Sequence, residues 1–212
     1  MNRKDLAVYL IMGTPNCVED PLVVLKDALE AGVTMFQLRE KGDGALKGDE
    51  LEGFARQCQE ICKSYKVPFI INDDVELAIK LHADGVHVGQ DDIALTEIRE
   101  KFTGRIVGVS VHTQQELEGA IKGDADYVGI GPIYETRSKS DAKAPAGLTF
   151  LRQARGLLPD FPIVAIGGIT PENAHEPLQA GADGVAIISA ICQCQDRHAT
   201  VSLILSKDGI RR

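Results

Sequence analysis

Eight times along the chain a short, uninterrupted apolar run is followed by a stretch in which apolar residues recur at helical spacing. The runs expected as strands are Leu6 to Met12, Val33 to Phe36, Val67 to Ile71, Gly85 to Gly89, Ile106 to Val111, Tyr127 to Ile133, Ile163 to Ile166 and Val185 to Ser189. The expected helices are Pro21 to Ala31, Asp49 to Lys66, Asp74 to His82, Leu95 to Phe102, Gln114 to Lys122, Leu148 to Leu158, Pro171 to Ala180 and Asp196 to Lys207. In the clearest of these, Leu51, Phe54, Ala55, Cys58, Ile61, Cys62 and Tyr65 fall on one helical face. Strands that are apolar throughout bury both faces, and strict alternation with helices requires a parallel sheet with right-handed crossovers. Eight such units in 212 residues fit an α/β fold, a single-domain (β/α)8 TIM barrel over residues 1–212, with little left for insertions. The competing architecture is an open doubly wound sheet, but no G-x-G-x-x-G follows the first strand. The phrases Ala83-Asp84-Gly85-Val86 and Gly181-Ala182-Asp183-Gly184-Val185 look like one helix-to-strand connector used twice. Internal duplication and simple turn chemistry before a buried strand both account for that repeat.

A formal net charge of -8 argues against nucleic acid or a membrane surface as partner, and makes any cluster of cations a local device. The polar start from Met1 to Asp5, and the lack of any apolar run near the length of a membrane span, lead to a cytoplasmic expectation. Cys58 and Cys62 share the buried face of their helix, and Cys192-Gln193-Cys194 has no partner pair at zinc-site spacing. With Cys17, these read as small buried hydrophobes of a reducing compartment.

In a barrel of this kind the site is built at the carboxyl ends of the strands, and polar groups collect there. Strand two runs into Gln37-Leu38-Arg39-Glu40-Lys41, whose alternation aims Gln37, Arg39 and Lys41 one way and Leu38 and Glu40 the other. An amide and two cations converging on one spot suit a phosphate, which Arg grips bidentately and Lys neutralises. Strands three and four end in Asn72-Asp73-Asp74 and Gly89-Gln90-Asp91-Asp92, strand five in Ser110-Val111-His112. Neighbouring carboxylates next to cations fit a Mg²⁺-bridged diphosphate, although Asp73 and Asp74 are also good helix caps. Gly167-Gly168 before Thr170-Pro171 points to a second phosphate site after strand seven. The longest loop, Tyr134 to Gly147, carries Thr136, Ser138 and Lys139 and reads as a lid or as a disordered excursion.

The chain holds no nucleophile elbow, no H-E-x-x-H, no Walker loop and no obvious Cys–His nucleophile pair. His82, His87 and His175 fall in element bodies, where packing or surface roles are expected, and His112 is a weak rim candidate. A reaction that stabilises a leaving diphosphate needs cations and a metal rather than a triad.

Taken together, Q-L-R-E-K at 37–41, I-I-N-D-D at 70–74, G-V-H-V-G-Q-D-D at 85–92, G-V-S-V-H-T at 108–113, G-P-I-Y-E-T-R-S-K at 131–139, I-G-G-I-T at 166–170 and A-G-A-D-G-V-A-I-I-S-A-I at 180–191 resemble thiamine phosphate synthases. The resemblance implies a transferase that joins hydroxymethylpyrimidine diphosphate to a thiazole phosphate and releases pyrophosphate. It assigns Arg39, Lys41, Asn72, Ser110 and Lys139 to the diphosphate, and Mg²⁺ to Asp73 and Asp92. Gln37 would contact the pyrimidine, while Thr136, Ser138, Gly168, Ile188 and Ser189 would hold the thiazole phosphate. The implied chemistry is dissociative, with a pyrimidinylmethyl cation captured by the thiazole nitrogen, which carries no proton and needs no base. The partners implied are these small molecules; a homo-oligomer is compatible with the sequence, which leaves the oligomeric state open. Glu135 and Ser138 depart from the P-T-x-T-K that typical members carry. The alternatives are a thiazole tautomerase on the same barrel, whose members place a histidine where this chain has Pro132, and a non-catalytic phosphate-binding regulator.

Overall fold

The computed structural model describes residues 1–90, 95–136, 138 and 144–206. Strands β1 (Val8–Met12), β2 (Met35–Leu38), β3 (Phe69–Asn72), β4 (Gly85–Val88), β5 (Ile106–Val111), β6 (Tyr127–Ile130), β7 (Ile163–Ile166) and β8 (Gly184–Ile187) are all parallel. They close in sequence order into a barrel, β8 pairing back onto β1. Every residue of β1, β2, β4, β6 and β8 is buried, which is why these strands read as apolar runs, broken only by Gln37 in β2 and His87 in β4. Around them run α1 (Pro21–Glu30), α2 (Gly48–Tyr65), α3 (Val75–Lys80), α4 (Leu95–Lys101), α5 (Gln114–Lys122), α6 (Gly147–Leu157), α7 (His175–Gln179), α8 (Ser189–Cys192) and α9 (Arg197–Ser206). Among the described residues no helix is long and apolar enough to cross a membrane.

The expected alternation is present, with several boundaries moved for local reasons. Arg3–Leu6 forms a 3-10 turn capped by the Asn2 side chain, so the first strand starts at Val8 rather than Leu6. Strand six stops at Ile130, before Pro132, which has no N–H to give a ladder. Helix α7 begins at His175 rather than Pro171, because Asn173 and Ala174 turn back onto the Thr170 carbonyl. Pro177 lies inside that segment and is tolerated only in a first turn, which sets how early the helix can start. Ser189 opens α8 instead of ending the last strand, since the Ile188 carbonyl accepts from Ile191 and Cys192. The end expected for the last helix, Lys207, lies outside the described residues.

The helix-to-strand connector recurs at all four even-numbered strands. The residue before or just ahead of β2, β4, β6 and β8 is Thr34, Asp84, Asp126 and Asp183. Each of these side chains accepts the first free N–H of the preceding strand's entry: Val8 at 2.9 Å, Phe69 at 2.9 Å, Val107 at 2.7 Å and Ile163 at 2.8 Å. The main-chain N–H of the same four residues returns a hydrogen bond to that partner's carbonyl. The barrel is therefore clamped in strand pairs at its amino-terminal end. Arg99 and Arg155 add charge there, on Asp126 at 2.6 Å and Asp183 at 2.8 Å. Stability devices thus concentrate at the end opposite the one where chemistry is expected.

Candidate active site at the carboxyl rim

The exit of β2 is held from behind. Glu40, pointing away from the barrel interior as the alternation requires, accepts from Thr14 N–H at 2.8 Å, from the Thr14 hydroxyl, and from Leu46 N–H at 2.9 Å. That one carboxylate ties the loop after β2 to the loop after β1. Gly13 makes the approach feasible, since a Cβ there would sit 2.3 Å from the Arg39 carbonyl oxygen. Arg39 and Lys41 leave this anchored backbone on the side opposite Glu40.

They enter a cavity of about 640 Å³ at the carboxyl ends of the strands, within the size range of small-molecule sites. Arg39, Lys41, Asn72, Asp73 and Ser110 line it, and so do Thr136, Ser138, Gly168, Ile188 and Ser189. Ten of the expected site residues thus share one cavity. Asp92 and Lys139 lie outside the described residues, as do residues 137 and 140–143 of the loop expected as a lid. Gln37 does not line the cavity: it is fully buried below Arg39 in the barrel interior.

The acidic pair after β3 divides its roles. Asp74 caps α3, its side chain accepting from Leu77 N–H at 2.8 Å. Asp73 sits in left-handed backbone (φ 59°) and turns its carboxylate to Lys41 Nζ, with which it forms an ion pair and hydrogen bond. Capping explains Asp74, and it does not explain Asp73.

Across the rim, the Ser138 hydroxyl donates to Ser189 Oγ at 3.1 Å, joining the loop after β6 to the start of α8. Gly167 and Gly168 are left-handed (φ 98° and 65°), and a Cβ on Gly168 would meet the Glu135 carbonyl oxygen at 2.5 Å. The glycine pair serves close packing against the loop after β6 as well as the cavity. The Thr170 N–H, expected to face a phosphate at a helix start, donates instead to Asn173 Oδ1 at 2.8 Å. Helix α7, starting five residues later, does not carry that role.

Below the rim a hydrogen-bond chain crosses the barrel interior. Gln37 Nε2 donates to the Tyr9 hydroxyl at 2.7 Å, which lies 2.8 Å from the Tyr127 hydroxyl. Tyr127 in turn is 2.9 Å from His87 Nδ1, and His87 Nε2 is 2.9 Å from Ser110 Oγ. Burial raises both tyrosines well above the ordinary phenol range, so each keeps its proton. His87 lines the cavity, where packing or a surface role was expected. Its signal was available: a polar residue between Val86 and Val88 in a strand buried on both faces must find partners in the barrel interior. Gln90 and Gln193, which the sequence does not single out, also line the cavity, as does Glu135, the departure from the family pattern in the loop after β6.

The five cysteines are all free thiols, with Cys58, Cys62 and Cys192 buried. Burial pushes the Cys58 and Cys62 thiols up, as expected of small apolar fillers.

Known proteins resemble this chain over nearly its whole length. A family model described as Thiamine monophosphate synthase matches residues 8–191. The thiamine-phosphate synthase of Lysinibacillus sphaericus (strain C3-41) is 59% identical over 213 residues, covering 100% of both chains. That of Bacillus thuringiensis (strain Al Hakam) is 52% identical over 204 residues, 96% of this chain and 93% of the relative. Among solved structures, the thiamine phosphate pyrophosphorylase from Pyrococcus furiosus superposes with a TM-score of 0.84 at 31% identity, covering 95% of each chain.

Proposed function

Because the chain belongs to the thiamine monophosphate synthase family, and is thereby a transferase of thiamine biosynthesis, we propose how its rim performs the synthase reaction. The observation that carries the reading is the convergence of Arg39, Lys41, Asn72, Asp73 and Ser110 on one cavity. Arg39, only 7% exposed, and Lys41 bind the diphosphate of hydroxymethylpyrimidine diphosphate, with Asn72 and Ser110 as neutral donors. Lys139 would add a further cation. Gln37 Oε1 is buried without a hydrogen-bond partner among the described residues, which suits the pyrimidine contact assigned to it, one layer below the rim. Thr136, Ser138, Gly168, Ile188 and Ser189 hold the thiazole phosphate on the opposite side.

The donors present fit Mg²⁺. Asp73 offers a hard carboxylate at the cavity wall, and Asp92 would be the second ligand. Among the described residues no three His, Cys, Asp or Glu side chains cluster as a metal centre, so an ion here would draw its remaining ligands from substrate oxygens and water. When bound, Mg²⁺ would supply charge neutralisation on the departing pyrophosphate. The Lys41–Asp73 pair is partly exposed, at 44% and 26% of the two side chains. A pair of that exposure is worth about 0–1 kcal/mol, so opening it costs little when a diphosphate takes Lys41 and a cation takes Asp73.

In this mechanism Arg39, Lys41 and the hydroxyl and amide donors stabilise negative charge as the carbon–oxygen bond to pyrophosphate breaks. The pyrimidinylmethyl cation left behind is captured by the thiazole nitrogen lone pair. No proton moves at that nucleophile, consistent with a rim rich in cations. Such a protein works in the cytoplasm, on small-molecule substrates. The test of the metal assignment is pyrophosphate release with both substrates present: it requires Mg²⁺ and stops on chelation. Release that continues undiminished in excess chelator would remove the metal from the reading.

A further inference from the structure

The chain from Gln37 to Ser110 has a direction, and counting protons gives it. The Gln37 amide donates to Tyr9 through Nε2 at 2.7 Å, so the Tyr9 oxygen is an acceptor there and its own proton needs another partner. The neighbour in reach is the Tyr127 oxygen at 2.8 Å. Tyr127, receiving that proton, gives its own to His87 Nδ1 at 2.9 Å. An Nδ1 that accepts is unprotonated, so the ring hydrogen resides on Nε2 and is donated to Ser110 Oγ at 2.9 Å. Ser110 Oγ, accepting from His87, has its own hydrogen left to donate, and Ser110 lines the cavity. With the Gln37 amide turned so that Nε2 faces Tyr9, the opposite direction would leave the Tyr9 proton without an acceptor in an interior where both tyrosines are fully buried.

We propose that Gln37 is a positioning residue for the anion site: through Tyr9, Tyr127 and His87 it fixes the tautomer of His87 and turns the Ser110 hydroxyl into a donor aimed at bound phosphate. This rests on the diphosphate reading of the rim, and it assigns work to three residues, Tyr9, Tyr127 and Gln37, that do not line the cavity. A serine hydroxyl can donate or accept, and an anion site has use only for the donor. A carboxylate at position 37 would reverse the chain. It can only accept, so Tyr9 would give it its proton, Tyr127 would donate to Tyr9, and His87 would carry its hydrogen on Nδ1. Ser110 would then donate to His87 Nε2 and show the cavity only lone pairs.

The test uses inorganic pyrophosphate with Mg²⁺, which carries no pyrimidine and so excludes any direct contact with Gln37. Its affinity is measured by calorimetry for the unsubstituted protein, Gln37→Glu, Ser110→Ala and the double variant, alongside the nitrogen-15 spectrum of histidine-labelled protein. We expect Gln37→Glu to weaken binding about tenfold, the loss of one charge-assisted hydrogen bond. Ser110→Ala should weaken it comparably, and the double variant no further. His87, identified by the signals missing in His87→Asn, should switch from the Nε2–H to the Nδ1–H tautomer in Gln37→Glu. A loss that persists in the Ser110→Ala background would be repulsion by the new carboxylate and would overturn the inference, as would an unchanged tautomer. Gln37→Met, which adds no charge and cannot donate to Tyr9, guards against a fold failure of the first variant. It should lose the single His87 tautomer, and keeping it would count against the chain. No pyrophosphate binding by the unsubstituted protein would overturn the diphosphate reading and this inference together; binding indifferent to position 37 would overturn this inference alone.

Discussion

At the scale of single residues, the rim separates side chains that act from side chains that hold others in place. Asp74 and Asp73 are adjacent and chemically identical, yet one caps α3 and the other pairs with Lys41 at the cavity wall. Arg39 and Glu40 likewise go to opposite faces, one into the cavity and one to the Thr14 and Leu46 backbone. Arg39→Ala is expected to lower turnover by well over tenfold, because it removes charge stabilisation worth a few kcal/mol in the transition state. Steady-state kinetics checks this, and a rate equal to that of the unsubstituted protein would take Arg39 out of the site. Gly168→Ala tests the rim's packing. With φ at 65° and the Glu135 carbonyl 2.5 Å from the added carbon, the substitution should shift the loop after β6 and weaken thiazole phosphate binding more than pyrophosphate binding. Equal affinity for thiazole phosphate before and after would mean that the loop accommodates the methyl without moving the site.

At the scale of elements, the clamp at the even-numbered strands argues for a division of labour along the barrel axis. Asp84→Ala strips the Phe69 N–H of its 2.9 Å partner in a buried strand entry, a change expected to cost about 1–3 kcal/mol. Urea denaturation should show that loss, while the Michaelis parameters of the folded variant stay near their original values. A large fall in turnover with unchanged stability would contradict the division. The alternation of runs and helices was legible because parallel strands buried on both faces leave an unbroken apolar signature. Ends were less legible, because they are set by single local turns that leave no mark in the apolar pattern: Asn173 and Ala174 turning back onto the Thr170 carbonyl delay α7, and Ile191 and Cys192 turning back onto the Ile188 carbonyl convert the end of β8 into α8. Strand alternation points to Arg39 and Lys41, and the rule that a barrel's site lies at the carboxyl ends of its strands points to the other rim polar groups. The polar break at His87 is visible in its strand, but the partners that give it a role, Tyr127 and Ser110, lie 40 and 23 residues away. An Asp-Gly phrase marks the connector at Asp84 and Asp183; its other two copies hide behind a different residue type at Thr34 and a missing glycine after Asp126.

At the scale of the whole molecule, an acidic chain with a net charge of -8 keeps a cationic wall at one end of a closed barrel and its Asp-centred clamps at the other. The barrel fold by itself supports many chemistries. What narrows them is the set of groups converging at the carboxyl rim, together with full-length similarity to thiamine-phosphate synthases at 59% and 52% identity. On the proposed function, this rim condenses two phosphorylated substrates with loss of pyrophosphate. The direct measurement follows pyrophosphate and thiamine phosphate together in a single turnover with Mg²⁺. One pyrophosphate per thiamine phosphate, appearing only when hydroxymethylpyrimidine diphosphate and thiazole phosphate are both present, is the predicted result. Turnover of the thiazole phosphate alone, or binding of both substrates without release of pyrophosphate, would contradict it.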